Sequence, residues 1–450
     1  MTFHKNYFSI VENNQNKDPA MRSKKRPFSH FSRIIHTESP TFRPDKENQL
    51  QTILLEHPNK HMLARGHGLS YSDSCVHDQS IVIDMSRFNH LLSFDDQSGI
   101  AVCQSSVTFS DLLLIHRDFI PPVLPGTLQA TLGGGIAHDI HGKNNPHQGN
   151  LGDHIAWLDL QVGASSLRCS KEEHPDLFFA TIAGLGLTGI IKRVAIRLKK
   201  ASRTVTTHTQ QFTQWGPLLD SMQQEGVTAD YQAAWINLLS PEMQALLSFA
   251  THIQDNAHHL PIQPRFSMPP VPIRLITAAG MRCFNRAYFH FKSTAPKTEA
   301  LWAYNNPLDA LPHWQYLYGK QGVLQFQAVF NAAIALQTIQ TLIALIRTHQ
   351  ATPTLAVLKY FTKAGLGLLS FTEPGFTFAI DFIHNRKSRL AIAAMNQHIA
   401  TLPGKIYLAK DLLLTPKQFR TMYPNYESFH TVVSRYHSPM QSDLSKRLDL

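Results

Sequence analysis

Cysteine is scarce in this 450-residue chain. Cys75, Cys103, Cys169 and Cys283 stand far apart with no CxxC spacing, so neither a zinc site nor a disulfide framework is announced. A reducing, cytoplasmic compartment is the expectation. No stretch of about 18 uncharged apolar residues occurs, which argues against a spanning helix. The nearest run, AVFNAAIALQTIQTLIALI, is interrupted by Gln and Thr at helical spacing and reads as an amphipathic helix lying on a sheet. The first thirty residues hold a basic cluster from Arg22 to Arg26 but no continuous apolar core of the signal-peptide kind, so 1–30 reads as a polar tail.

Acidic residues are also in deficit: 32 Asp and Glu against 42 Lys and Arg leave a formal charge of +10, which favours anionic partners. Nucleic acid is not expected, because the positive charge is dispersed rather than gathered into a basic stripe with interleaved aromatics. With 43% hydrophobic and 16% charged residues, the chain suits a globular protein of two or three domains.

What is present alternates. From 46 to 198, short strand signals (HMLARG, QSIVIDM, GIAVCQSS, HIAWLDLQVG, GIIKRVAIRL) run between glycine-rich turns, with helices expected at KENQLQTILLEH and TFSDLLLIHRDF. That is an α+β pattern, not a repeating βαβ series. Residues 201–300 are harder to place: TVTTHTQQFTQW suits a strand. PPVPIRLITAAGMRCFNRAYFHF reads either as a loop and helix packed on the core or as a flap or membrane-facing surface. From 323 to 414 the order strand, helix, strand, strand, helix, strand is ferredoxin-like and predicts a second sheet carrying a substrate pocket. No internal repeat is evident.

Several motifs compete for the chemistry. AGLGLTGII satisfies GxGxxG at Gly184, Gly186 and Gly189, but a helix precedes it and a strand follows, the reverse of what a dinucleotide fingerprint needs. His138, His141 and His147, with His154 beyond, invite a metal. The flanking glycines argue against the stable helix that would align them, so no metal is expected. Three glycine-bearing segments remain, ARGHGLSYSD, PPVLPGT and TLGGGIAHDIHGKN. Bare backbone of that kind lets N–H groups approach an anion, and three such loops suit a diphosphate better than a single tight turn.

These segments, together with VIDMSRFN, DLFFATIAGLGLTGII and IYLAKD in the same order, resemble the FAD-dependent oxidases of the vanillyl-alcohol oxidase superfamily. The likeness runs from about residue 30 to the end and is weak between roughly 200 and 300. It implies a two-part PCMH-type FAD-binding domain at 31–200. A substrate domain at 201–405, an antiparallel sheet covered by helices, would follow, and a C-terminal segment, 406–450, would return to the first domain. FAD contacts would fall on Ala64, Arg65, Gly66, His67, Gly68, Leu69, Ser70, Tyr71, Ser72, Asp73 and Ser74. Further contacts would come from Gly126, Thr131, Leu132, Gly133, Gly134, His141, Gly142, Lys143, Asn144, Ile191 and Tyr407. Lys410 matches the family's catalytic lysine, with Tyr71 and His141 bordering the reactive face. Gln325 and Gln327, alternating on a strand, can hold sugar hydroxyls, and Lys359 can anchor a phosphate.

The reaction so implied oxidises a secondary hydroxyl of a sugar to a ketone: a hydride leaves carbon for flavin N5 while a base takes the hydroxyl proton. The substrate implied is a polyprenyl-phosphate or phosphorylated pentose, oxidised at C2′, with a short-chain reductase completing an epimerisation. Peripheral contact with the inner face of the membrane would accompany a lipid-linked substrate. Two alternatives stay open, an aldonolactone or free-sugar oxidase using oxygen, and a noncatalytic flavin- or lipid-binding protein. Leu69 stands where members with covalent flavin carry histidine before the serine, so noncovalent FAD is expected. Ala379 replaces a cysteine found in the nearest members, which removes a thiol from the pocket.

Overall fold

The structure is a computed structural model describing residues 21–254, 259 and 266–450; most of the expected tail lies outside these. It is an α+β protein with three principal sheets. In the first, β1 (Lys24–Ser29), β2 (His36–Phe42), β3 (Met62–Arg65) and β4 (Ile81–Asp84) are ordered β1-β2-β4-β3. The helix Glu47–Glu56 buries Leu50, Ile53 and Leu54 against Phe42, Met62 and Ile83. The strand β1 falls inside the stretch read as tail. Its KKRPFS side chains stay mostly in solvent and it is held by backbone pairing to β2, so no apolar alternation betrays it.

The second sheet comprises β5 (Leu91–Asp95), β6 (Ile100–Gln104), β8 (Ile155–Val162), β9 (Ser165–Ser170) and β10 (Ile190–Arg197), antiparallel in the order β5-β6-β10-β8-β9. β7 (Phe119–Ile120) and β11 (Lys199–Lys200) form a small ribbon beside it. The expected helix at 108–119 shrinks to Phe109–Leu112, closed by a Thr108–Asp111 capping box. The glycines of TLGGGIA do form a helix, Leu132–Ala137. Thr131 accepts from the Gly134 amide at its start, and Gly133 lies so close to Ser105 that a Cβ there would come within 3.0 Å of it.

The third sheet has eight strands: β12 (Thr204–Phe212), β13 (Tyr231–Ile236), β14 (Ala245–His252), β15 (Lys297–Ala300), β16 (Val323–Phe330), β17 (Pro353–Phe361), β18 (Gly375–Ile383) and β19 (Gly404–Ile406). Their order is β15-β12-β14-β13-β17-β18-β16-β19, all pairs antiparallel. The C-terminal half is the expected ferredoxin-like unit, with helices Ala335–Thr348 and Arg386–Ile399 as its crossovers. The N-terminal half repeats the same topology, with helices Trp215–Gln224 and Ala278–Phe291 between its strands. The two units meet edge to edge, with Trp235 opposite Val357. One face of the sheet is apolar: Leu324, Phe326, Ala328, Leu358, Phe378, Ile380, Leu247 and Phe249 pack with Leu218, Met222, Ile339, Leu342, Ile392 and Met395 of three helices. On the opposite face, the helix Ala278–Phe291 covers the N-terminal unit and none of these helices covers the C-terminal one.

The chain's end returns to the first sheet. Met440 bridges Met62, and the helix Asp443–Leu448 lies beside the loop that follows β3.

Candidate functional site

Strand register builds the site's floor. Gln325 lies opposite Asp381, Gln327 opposite Ala379, and Lys359 opposite Thr377. Period-two alternation turns all of them to the face away from the apolar helices. Gln327 donates to Thr377 Oγ1 (3.1 Å) and its amide nitrogen meets His141 Nε2 at 3.0 Å. An amide N–H makes that imidazole nitrogen the acceptor, so the proton sits on Nδ1, which is buried with no partner. Phe361, Phe371 and Tyr407 surround the ring at 4.9, 5.5 and 5.0 Å. Burial, with Lys359 and Lys410 nearby, holds the imidazole far below its ordinary pKa and therefore neutral.

Lys410 arrives just after β19. The Ala409 carbonyl ahead of it accepts from Tyr71 N (3.0 Å), Ser72 N (3.1 Å) and Ser70 Oγ (2.9 Å), stitching the lysine's strand to the first glycine loop. Its Nζ lies 3.8 Å from the Tyr71 ring centroid. Tyr71 is in turn fixed from behind: its carbonyl accepts from Ser32 Oγ (2.9 Å) and from His30 Nδ1 (2.7 Å). Because His30 Nε2 takes the amides of Ile34 and Ile35, its tautomer follows, and burial pushes it down to about 4.

The site is crowded with positive charge. Burial lowers Lys143 to about 7 and Lys359 to about 8, with Lys359 adding repulsion at Lys143. Lys143 Nζ donates to the Tyr304 carbonyl (2.8 Å) and sits 4.4 Å from that ring, whereas Lys359 has no ionic partner among the described residues. Lys410 is lowered chiefly by burial, opposed by Asp381 and assisted by Lys359. Asp381, 1% exposed, is pushed up by its own burial; Gln325 donates to one oxygen and the other has no partner.

Two residues here escaped the sequence reading. Asp381 is a lone carboxylate two positions from Ala379 in an apolar strand, and that isolation was the available signal. Arg447 gave none: its guanidinium makes paired bonds to Asp73 (2.9 and 2.8 Å) and a third to Asp411 (2.9 Å), spanning 374 residues of sequence. Asp411 is thereby committed to Arg447 and not to its neighbour Lys410.

The structure brings Tyr71, His141, Lys143, Gln325, Gln327, Lys359, Tyr407 and Lys410 to one face. Gln325 donates one amide N–H to Asp381, and its Oε1 is buried without a partner. The loop from Ala64 to Ser74 runs alongside, its Ser70, Ser72 and Ser74 hydroxyls linked to one another at 3.0 Å and to His138 Nε2 at 2.9 Å. His67 is exposed on the Gln129 carbonyl, Gly68 adopts a positive φ of 66°, and Ile191 is buried in β10 beside Leu160. Gly126 lies apart in solvent, with nothing within 4 Å of where a Cβ would stand. The histidines expected not to bind metal turn to separate partners: His147 to the Ala229 carbonyl and His154 to that of Gln148.

The residues present fit a flavin. Arg65 Nε, Ser105 Oγ, His141 Nδ1 and Asn144 Oδ1 are all buried without partners, on or beside the loops that resemble flavin-binding segments. Native proteins seldom leave such groups unpaired, so several in one region mark where a polar ligand belongs.

Comparison with known proteins agrees. Residues 40–165 match a family described as FAD binding domain. The chain is 28% identical over 429 residues, 89% of its own length and 91% of the relative's, to decaprenylphosphoryl-beta-D-ribose oxidase of Mycolicibacterium smegmatis. It is 32% identical over 164 residues, 36% of this chain and 37% of the relative, to an uncharacterized oxidoreductase of the fasciation locus in Rhodococcoides fascians. A putative D-arabinono-1,4-lactone oxidase of Neurospora crassa is 28% identical over 184 residues, 38% of this chain and 33% of the relative. The chain thus carries a PCMH-type FAD-binding domain and is an FAD-dependent oxidoreductase.

Proposed function

We propose that this enzyme oxidises a ring hydroxyl of a polyprenyl-phosphate pentose, at C2′, to a ketone, as the oxidase half of an epimerisation. A short-chain reductase would complete it. The observation that carries the reading is the set of three largely buried lysines, Lys143, Lys359 and Lys410, around one polar face with Lys359 unpaired. Lys143 and Lys359 in their charged forms, desolvated and facing one another, favour an anion between them, and a sugar carried on phosphate supplies one.

Bound FAD supplies the acceptor for the hydride leaving the carbinol carbon. FAD would be held by the glycine loop 64–74, by Thr131 to Gly134 and by His141 to Asn144. Lys410 Nζ, neutral because it is desolvated, takes the hydroxyl proton as the hydride departs. Gln327 and neutral His141 orient the sugar, with His141 Nδ1–H free to donate. Lys359 and Lys143 hold the phosphate. With Leu69 before Ser70 and His67 turned out to Gln129, FAD is bound noncovalently.

Anaerobic mixing of the purified yellow enzyme with decaprenylphosphoryl-ribose should bleach the flavin, and acid precipitation should leave the flavin in the supernatant. Bleaching by aldonolactones but by no phosphorylated sugar would replace this reading with that of a lactone oxidase.

A lipid tail needs a place to rest. Phe284 (58% exposed) and Phe291 (88%) project from the helix Ala278–Phe291, and Ile273 (67%) and Leu275 (51%) precede it. From 266 to 298 there are five Lys and Arg and no Asp or Glu. Exposed apolar side chains among cations suit an interfacial helix on an anionic membrane. Among the described residues, no helix is long and apolar enough to cross one. Phe284→Ser/Phe291→Ser should lose sedimentation with phosphatidylglycerol vesicles while turnover of a short-chain substrate is kept. Undiminished sedimentation would discard the contact.

A further inference from the structure

A hollow of about 680 Å³ lies outside the site, and neither Tyr71 nor Lys410 lines it. Its walls come from four places: the loop after β1 with the start of β2, the turn before β16, the first half of the helix Arg386–Ile399 with the two residues before it, and Leu413 after β19. The rim carries Arg33, Lys320, Arg386 and Arg389, with His36 and His384, and the lining contains no Asp or Glu. Among the described residues none of those four cations has an ion-pair partner. Ile34, Leu390, Ala393 and Leu413 supply the apolar part of the wall, and Gln321 and Asn385 complete it.

Two local features leave positive charge uncompensated at the hollow. The helix begins with Arg386, Lys387 and Arg389 and has no acidic residue in its first turn, although its N-terminus is the positive end of the helix dipole. Arg33 sits in the left-handed region (φ 60°), its guanidinium is 4.3 Å from the Tyr316 ring centroid, and its Nη1 is buried without a partner.

We propose that this hollow is a second binding site, for a phosphate monoester carrying an apolar body. The phosphate sits among Arg33, Lys320, Arg386 and Arg389, and the body lies on Ile34, Leu390 and Leu413. A soluble ester and a phospholipid headgroup share this chemistry. The inference does not rest on the substrate proposed above, because none of these residues lies on the face that bears Lys359 and Lys410.

The test is calorimetric titration of the FAD-loaded enzyme with geranyl phosphate, geraniol and inorganic phosphate, beside sedimentation with phosphatidylglycerol and phosphatidylcholine vesicles. Saturable geranyl phosphate binding is expected, weakened at least tenfold by Arg386→Gln/Arg389→Gln and unchanged by Lys417→Gln, an exposed cation elsewhere. Both arginines are exposed on the helix surface, so the double variant should fold, and its flavin absorbance reports that it has. Lys359→Met should leave this binding intact, which separates it from binding at the lysine-rich face. Vesicle binding sensitive to the double variant, without geranyl phosphate binding, would assign the site to a headgroup. Geranyl phosphate binding that is insensitive to the double variant or lost in Lys359→Met, or the absence of both geranyl phosphate binding and any vesicle binding sensitive to the double variant, would overturn the proposal.

Discussion

The two ferredoxin-like units of the large sheet share one topology and do different work. In the C-terminal unit both crossover helices pack on the apolar face, which leaves the opposite face of β16, β17 and β18 bare for Gln327, Lys359 and Asp381. In the N-terminal unit only Trp215–Gln224 takes the apolar side. Its second helix, Ala278–Phe291, crosses to the polar face, where Tyr288 meets Trp235 at 5.0 Å, Asn285 donates to Asn237, and the Phe289 carbonyl accepts from Gln211. One unit exposes its polar face to the flavin-binding loops and the other roofs its own. A duplicated architecture thus yields a floor and a wall by moving one helix across the sheet.

That comparison is broken most severely at Lys410, where the flavin-binding half touches the exposed floor. Lys410→Ala should keep its flavin and slow anaerobic flavin reduction by roughly 100- to 10,000-fold, the usual worth of a positioned base. Reduction at the parent rate would remove Lys410 from proton transfer. Next in size is the tie that holds this lysine's strand to the glycine loop. Arg447→Met strands Asp73 and Asp411, both buried, without their cation. Losing one partner of a buried ion pair costs roughly 3–5 kcal/mol, so a large fall in thermal midpoint is expected, with Arg447→Lys intermediate. A midpoint unchanged in Arg447→Met would show that the C-terminal helix contributes no bracing.

The pH profile sharpens the contrast. Lys410, held down to about 7, must be neutral to act, so flavin reduction should rise with pH through that value. Lys359, at about 8, must be charged to hold a phosphate, so kcat/KM should fall again above it. Lys359→Met should lower kcat/KM, leave only the part of the alkaline limb that belongs to Lys143, and move the acid limb to higher pH, because the Lys359 charge helps hold Lys410 down. Asp381→Asn removes the carboxylate that favours the charged form of Lys410, so the acid limb should move to lower pH; an unmoved limb would make Asp381 a structural residue only.

How much of this was legible follows the physics of each element. The C-terminal unit was readable because TLAVLKYF and GFTFAIDFI alternate or bury in long β-branched and aromatic runs between amphipathic helices. Its twin was not, because TVTTHTQQF is polar on both faces and the helix Ala278–Phe291 shows solvent an apolar stripe that normally points inward. The glycine loops were legible as backbone that must come close to something. The helix over Leu132–Ala137 was not, since its stability comes from the Thr131 cap and from the close approach to Ser105 rather than from helix propensity. Lys410 was found through resemblance alone; a lysine beside an aspartate reads as a surface pair until Arg447 is seen to claim Asp411.

The smallest effect expected lies on the roofed face. Thr209 and Ser248 share a hydroxyl bond of 3.0 Å there, at registered positions of β12 and β14, on the side of the sheet that in the other unit carries the reactive groups. If the roof removes this face from the chemistry, Thr209→Val/Ser248→Ala deletes both partners of one hydrogen bond and leaves neither unsatisfied, a change that is close to neutral. Flavin reduction should then stay within about twofold of the parent and the thermal midpoint should barely move. A loss comparable to that of Lys359→Met would mean instead that substrate extends beneath the helix Ala278–Phe291, making the two units one continuous floor and the crossing helix a lid over bound substrate.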